Sequence, residues 1–104
     1  MPTPTEHFAP QELVMTVGEN LVMGIDYTDL LAVGETMTSA TTITATLQTG
    51  SGSLTLGSPS LSGNQVVFSA DGASIVANSI YLLEATAVTS AHPARKAHAF
   101  LYVF

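Results

Sequence analysis

The chain has 104 residues, a net charge of −6 and 10% charged against 46% hydrophobic residues, enough for one domain with a buried core. A self-standing domain carries about 25% charged residues; here Thr, Ser and Ala fill the gap, which predicts that something else covers much of the surface. Two adjacent cations, Arg95 and Lys96, against eight carboxylates exclude a phosphate-reading face for nucleic acid and attraction to an anionic membrane, and the lack of cysteine excludes disulfides, thiolate nucleophiles and Cys-ligated metals.

Residues 1–10 carry Pro2, Pro4 and Pro10. Proline fixes φ and lacks a donor, so this run reads as an extended arm, with His7 and Phe8 as its docking groups. It has neither the basic start nor the apolar centre of a signal peptide. No stretch approaches the roughly 18 apolar residues of a membrane helix. The expectation is a protein made and released in the cytoplasm.

Residues 11–104 read as one β-sandwich domain. Leu13 to Val17 and Leu21 to Ile25 flank Gly18-Glu19-Asn20 and form either a hairpin or two successive strands. Asp26-Tyr27-Thr28-Asp29-Leu30-Leu31 is too short for a full helix, and predicts a single helical turn before Gly34. From Met37 to Leu47 the sequence alternates. Met37, Ser39, Thr41, Ile43, Ala45 and Leu47 would share one face, and Thr38, Ala40, Thr42, Thr44 and Thr46 the other.

Gly50-Ser51-Gly52 ends that strand. Short runs follow at Leu54 to Leu56, Ser60-Leu61 and Val66 to Phe68, then a turn at Asp71-Gly72. Ile80 to Val88 and Ala97 to Phe104 are the last strands, joined through Ala91-His92-Pro93-Ala94. About seven strands with a turn every 8–12 residues or so is sandwich spacing. The predicted core is Met37, Ile43, Leu47, Leu54, Leu56, Val66, Phe68, Leu83 and Leu101.

Little points to catalysis. His7, His92 and His98 have no metal-ligand spacing, and His98 reads as a sheet-surface or interface residue. No Gly-x-Ser-x-Gly elbow occurs. Gly50-Ser51-Gly52 lacks the lysine and helix start of a phosphate cradle. Asp26, Asp29 and Glu35 could gather oxygens for Ca²⁺, but their spacing fits no EF-hand loop, and capping of a local turn is the better reading. We therefore expect no enzyme activity, cofactor or metal. From Thr36 to Ala70 there is no Asp, Glu, Lys, Arg or His. Interface cores are depleted in charge, so this stretch, with Thr42 and Thr44 on its polar face, is the candidate partner surface. Asp26, Asp29 and Glu35 form a second candidate.

The stretch from Asp26 to Ala40, Asp-Tyr-Thr-Asp-Leu-Leu-Ala-Val-Gly-Glu-Thr-Met-Thr-Ser-Ala, resembles a family of small immunoglobulin-like virion proteins of tailed phages. Many of those carry Asp-aromatic-Ser/Thr-Asp-Trp-Leu-x-x-Gly-Glu-Thr-Ile-x-Ser before Thr/Val-rich strands. The likeness spans about residues 19–103. Leu30 replaces the family's frequent Trp, and Ala91 to Lys96 replaces a common Gly-Gly turn. The resemblance implies a non-enzymatic virion subunit whose partners are other virion proteins, with self-association in the particle as a further possibility. Its expected place is an adaptor at the neck or tail-fibre junction. A capsid decoration (cement) protein on the head, and a carbohydrate- or host-surface-binding module, are the alternatives. In the motif, Tyr27 and Leu30/Leu31 are expected to plug one end of the sandwich, and Gly34 to reverse the chain.

Overall fold

A computed structural model of the chain describes residues 11–104; the predicted arm, with His7 and Phe8, lies outside the described residues. The strands run β1 (Gln11–Met15), β2 (Asn20–Asp26), β3 (Met37–Thr49), β4 (Thr55–Leu56), β5 (Ser60–Ser62), β6 (Gln65–Asp71), β7 (Ile80–Thr89) and β8 (Arg95–Val103). A 3-10 turn at Thr28–Leu30 follows β2. The strands form two sheets, β1-β8-β7-β3 and β2-β6-β4, with β5 also paired to β6. The eight strands exceed the expected seven because β4 and β5 pair with β6 as separate short pieces around Gly57-Ser58-Pro59.

The first two strands do not form a hairpin. β1 runs parallel to β8, and β2 crosses to the other sheet, antiparallel to β6. Gln11 ties the two together, its Nε2 donating to the Asp26 carbonyl at 2.8 Å and its Oε1 accepting from the Asp26 N–H at 3.1 Å.

Side chains from both sheets meet in one core. The first sheet contributes Met15, Tyr81, Leu83, Ala85, Ala87, Ala97, Ala99, Leu101 and Val103. Facing them are Met23, Ile25, Val66, Phe68 and Ala70, with Tyr27 closing one end. The Tyr27 hydroxyl is shared between the carbonyls of Ala85 (2.7 Å) and Arg95 (3.1 Å). Leu30 and Leu31 are half-buried against the same core, in line with the expected plug. Burial pushes the Tyr27 phenol up to about 12. Gly34 takes φ +82, the left-handed conformation that glycine tolerates best.

Of the predicted core, Val66, Phe68, Leu83 and Leu101 are buried, while Met37, Ile43, Leu54 and Leu56 are half-buried against the core. Leu47 is a correction: it is 40% exposed. The simple alternation along β3 fails for a physical reason. The register with β7 shifts between Met37 and Ser39, between Ala40 and Thr42, and between Leu47 and Thr49. Each bulge inserts a residue and swaps the faces that follow it. Met37, Ala40, Ile43 and Ala45 therefore lie on the core, and Ser39 and Thr41 are exposed.

The turn after β3 depends on Gly50. Its φ is +93, and a Cβ there would lie 2.8 Å from the Ser79 Cα. The buried Ser79 hydroxyl accepts from the Ser51 N–H at 3.2 Å and donates to the Ser51 carbonyl at 2.8 Å. Gly50→Ala adds left-handed strain to a backbone clash, so it will cost about 1–3 kcal/mol and lower the midpoint of thermal unfolding. A midpoint that holds or rises would show that this turn adapts freely.

Candidate functional site

The chemistry-bearing residues gather in two places: a clasp at the Tyr27 end of the sandwich and the outer face of the β1-β8-β7-β3 sheet.

The clasp is built on Glu35, whose side chain is only 1% exposed. Oε2 accepts from the Thr89 hydroxyl and lies 2.9 Å from Nδ1 of His92. Oε1 accepts from the Ala32 N–H at 2.8 Å and lies 3.4 Å from Nη2 of Arg95. A carboxylate offers only lone pairs, so Nδ1 of His92 is the protonated nitrogen. The Thr89 hydroxyl hydrogen bond, then the Ala32 N–H, then His92 and Arg95 hold Glu35 down to about 2 against the opposing effect of burial. Arg95 Nη2 also donates to the Leu30 carbonyl. These contacts bolt the segment from Leu30 to Glu35 onto the β7–β8 turn. Although Thr, His and Glu converge here, Thr89 donates to Glu35 rather than to His92, and its oxygen accepts from the His92 N–H at 3.0 Å. The hydroxyl's acceptor is the Glu35 carboxylate, a weak base with its pKa held down to about 2, and not the His92 imidazole.

Glu35 therefore does not join Asp26 and Asp29 in a surface patch, because its carboxylate is consumed inside the molecule. Asp26 is exposed and caps the local turn, accepting from the Thr28 N–H (2.9 Å) and hydroxyl (2.7 Å), which lowers its pKa. Asp29 is exposed on the 3-10 turn. Among the described residues, no group of three or more His, Cys, Asp or Glu converges as metal ligands would.

The outer sheet face is read from the register. In one row Val14 of β1 stands beside Tyr102, which stands beside Ile80. In the next, Glu12 pairs with Phe100, Phe100 with Leu82, and Leu82 with Thr46. The Phe100 and Tyr102 rings lie 6.4 Å apart, tilted by 48°. Ile80, Leu82, Phe100 and Tyr102 are half-buried, and Val14 is exposed. Beyond this apolar belt the rows turn polar. Thr44 pairs with Glu84, and Glu84 with His98; Thr42 pairs with Thr86, and Thr86 with Lys96. Lys96 Nζ and His98 Nε2 each lie 3.0 Å from a Glu84 oxygen, which lowers the Glu84 pKa, with Lys96 the larger cause. The structure thus places Thr42 and Thr44 exposed on this face.

The sequence reading missed the apolar belt, and a signal for it was present. Ile80-Tyr81-Leu82-Leu83 and Phe100-Leu101-Tyr102-Val103 are continuous apolar runs. Strands covered on both faces read this way, whereas a strand with one wet face alternates. The clasp had no comparable signal, since Glu35 and His92 are 57 positions apart.

The chain matches no family model, no curated protein and no solved structure.

Proposed function

We propose that the chain is a non-enzymatic structural subunit of a tailed-phage particle, an immunoglobulin-like adaptor at the neck or tail-fibre junction. The observation that carries this reading is the apolar belt of Val14, Ile80, Leu82, Phe100 and Tyr102 on the outer face of the four-stranded sheet, which no other described strand covers. Contiguous exposed apolar surface rimmed by polar residues marks a protein-binding site. The belt is rimmed by Glu12 on one side and by Glu84, His98 and Lys96 on the other.

Two further features support the reading. The motif from Asp26 to Ala40 resembles the phage family, and its Tyr27, Leu30 and Gly34 act here as plug and chain reversal. Six strands also follow the immunoglobulin-like partition, in which C, F and G share one sheet and A, B, E and D the other, while β1 departs from it by pairing with β8. In this order β3, β7 and β8 correspond to the first set, and β2, β6 and β4 to the second.

Cryo-electron microscopy of the particle tests the placement: density for the chain at the neck or tail-fibre junction is expected, density on the head shell would make it a decoration protein, and absence from the particle would end the virion reading. Purified Leu82→Lys and Phe100→Lys variants should fold normally yet bind particles made without the chain at least ~10-fold more weakly, as centrally placed anchors do. If both bind like the parent chain, the belt is not the contact.

A further inference from the structure

We propose that two copies of this chain pair edge to edge through β3, antiparallel, about a two-fold axis at Thr44. The inference starts from the free edges of the two sheets. β1 is 5 residues long and carries Glu12; β2 is 7 long, begins just after Glu19 and ends in Asp26; β4 and β5 have 2 and 3 residues. β3 has 13 residues, and among the described residues only β7 pairs with it.

Charge singles out the same edge. In a chain of net charge −6, most surfaces would repel their own copy, and like charges facing each other across a sheet are destabilising. β3 carries no charge at all. The nearest acid on the neighbouring strand, Glu84 beside Thr44, is already held by Lys96 and His98. Natural sheets usually guard a long edge with lysine, proline or bulges. β3 contains neither lysine nor proline. Its bulges fall at both ends, leaving Thr42 to Leu47 in unbroken one-to-one register with Thr86 to Tyr81.

Parity requires the two-fold axis to pass through a residue, and Thr44 stands near the middle of the regular run from Thr42 to Leu47. Outer faces stay on one side of the joined sheet only if residues of the same parity meet. With the axis at Thr44, that residue faces Thr44 of the partner subunit, Thr42 faces Thr46 of the partner subunit, and Ile43 faces Ala45 of the partner subunit. Thr–Thr pairs across strands are favourable, and the partner would cover Leu47, the large apolar side chain exposed at the end of the regular run.

The pairing does not depend on the virion reading: dimers can fail to form while Leu82→Lys and Phe100→Lys still release particles, and the reverse. Sedimentation equilibrium of the full chain should show a monomer–dimer equilibrium. Thr44→Lys should weaken it at least ~10-fold by setting like charges together, with circular dichroism unchanged and the melting midpoint unchanged at concentrations where both chains are monomeric. Since the chain lacks cysteine, Thr44→Cys reports directly. Facing Cα atoms about 4.5–5.5 Å apart fall within disulfide reach, so mild oxidation should give covalent dimers. Thr42→Cys, displaced from its symmetry mate, should not. A monomer at every concentration, a Thr44→Lys dimer as tight as the parent, or equal cross-linking of the two cysteine variants would overturn the proposal.

Discussion

Phe68→Ala will cost the fold about 3–5 kcal/mol. The ring is 2% exposed, lies between Val66 and Ala70 on the inner face of β6, and stands in register with Met23 of β2. Truncation there leaves a cavity that two hydrogen-bonded sheets cannot easily collapse to fill, so a packing loss adds to the lost transfer energy. Leu47→Ala is the control. That side chain is 40% exposed in the single chain, so at concentrations where the chain is monomeric its loss should cost under about 1 kcal/mol, as for a surface substitution. Urea unfolding of both variants measures the difference. A Phe68→Ala cost below about 1 kcal/mol would mean that β6 shows its other face to the core, since a slip of one residue inverts every side chain.

That contrast also separates what the sequence made legible from what it did not. Phe68 and Val66 sit in a short, regular strand, where period two is enough to assign the inner face. Leu47 shares the parity of Ile43 and Ala45 and stands opposite the buried Tyr81, yet it lies exposed on the edge strand of its sheet, next to the register shift that follows it. At the other end, two bulges exchange the faces of Ser39, Ala40 and Thr41. Thr-rich sequence suits either face, so nothing in it announces a bulge. Local motifs were readable for the opposite reason. Gly34 needs a positive φ, and Tyr27 is a large ring with a polar tip that fills a buried end only if its hydroxyl finds carbonyls, here those of Ala85 and Arg95. The acidic trio illustrates the limit of proximity in sequence. Asp26 and Glu35 are neighbours along the chain, but one caps a surface turn and the other is enclosed by groups from β7, β8 and the turn between them.

Glu35→Ala will destabilise the domain by about 3 kcal/mol, at the low end for breaking a buried ion pair, since His92 and Arg95 reach water and can recover part of their solvation. Thr89 and the Ala32 N–H lose their acceptor outright. Glu35→Gln keeps the shape but not the charge, and should fall between the parent and the alanine variant. The same carboxylate makes stability depend on acid. Its folded pKa of about 2 lies below the ordinary 4.5, so its contribution is complete above about pH 4.5 and disappears as the pH falls toward 2, where the folded form also takes up the proton. Asp26 and Glu84, both lowered as well, add to the acid loss of the parent chain, so the informative quantity is the difference between parent and Glu35→Gln. Urea unfolding between pH 7 and pH 2 should give two curves that are parallel above about pH 5 and converge below it. If the gap between them stays constant down to pH 2, the Glu35 carboxylate is not held by the clasp, and the segment from Leu30 to Glu35 is fixed by Tyr27 and its neighbours alone.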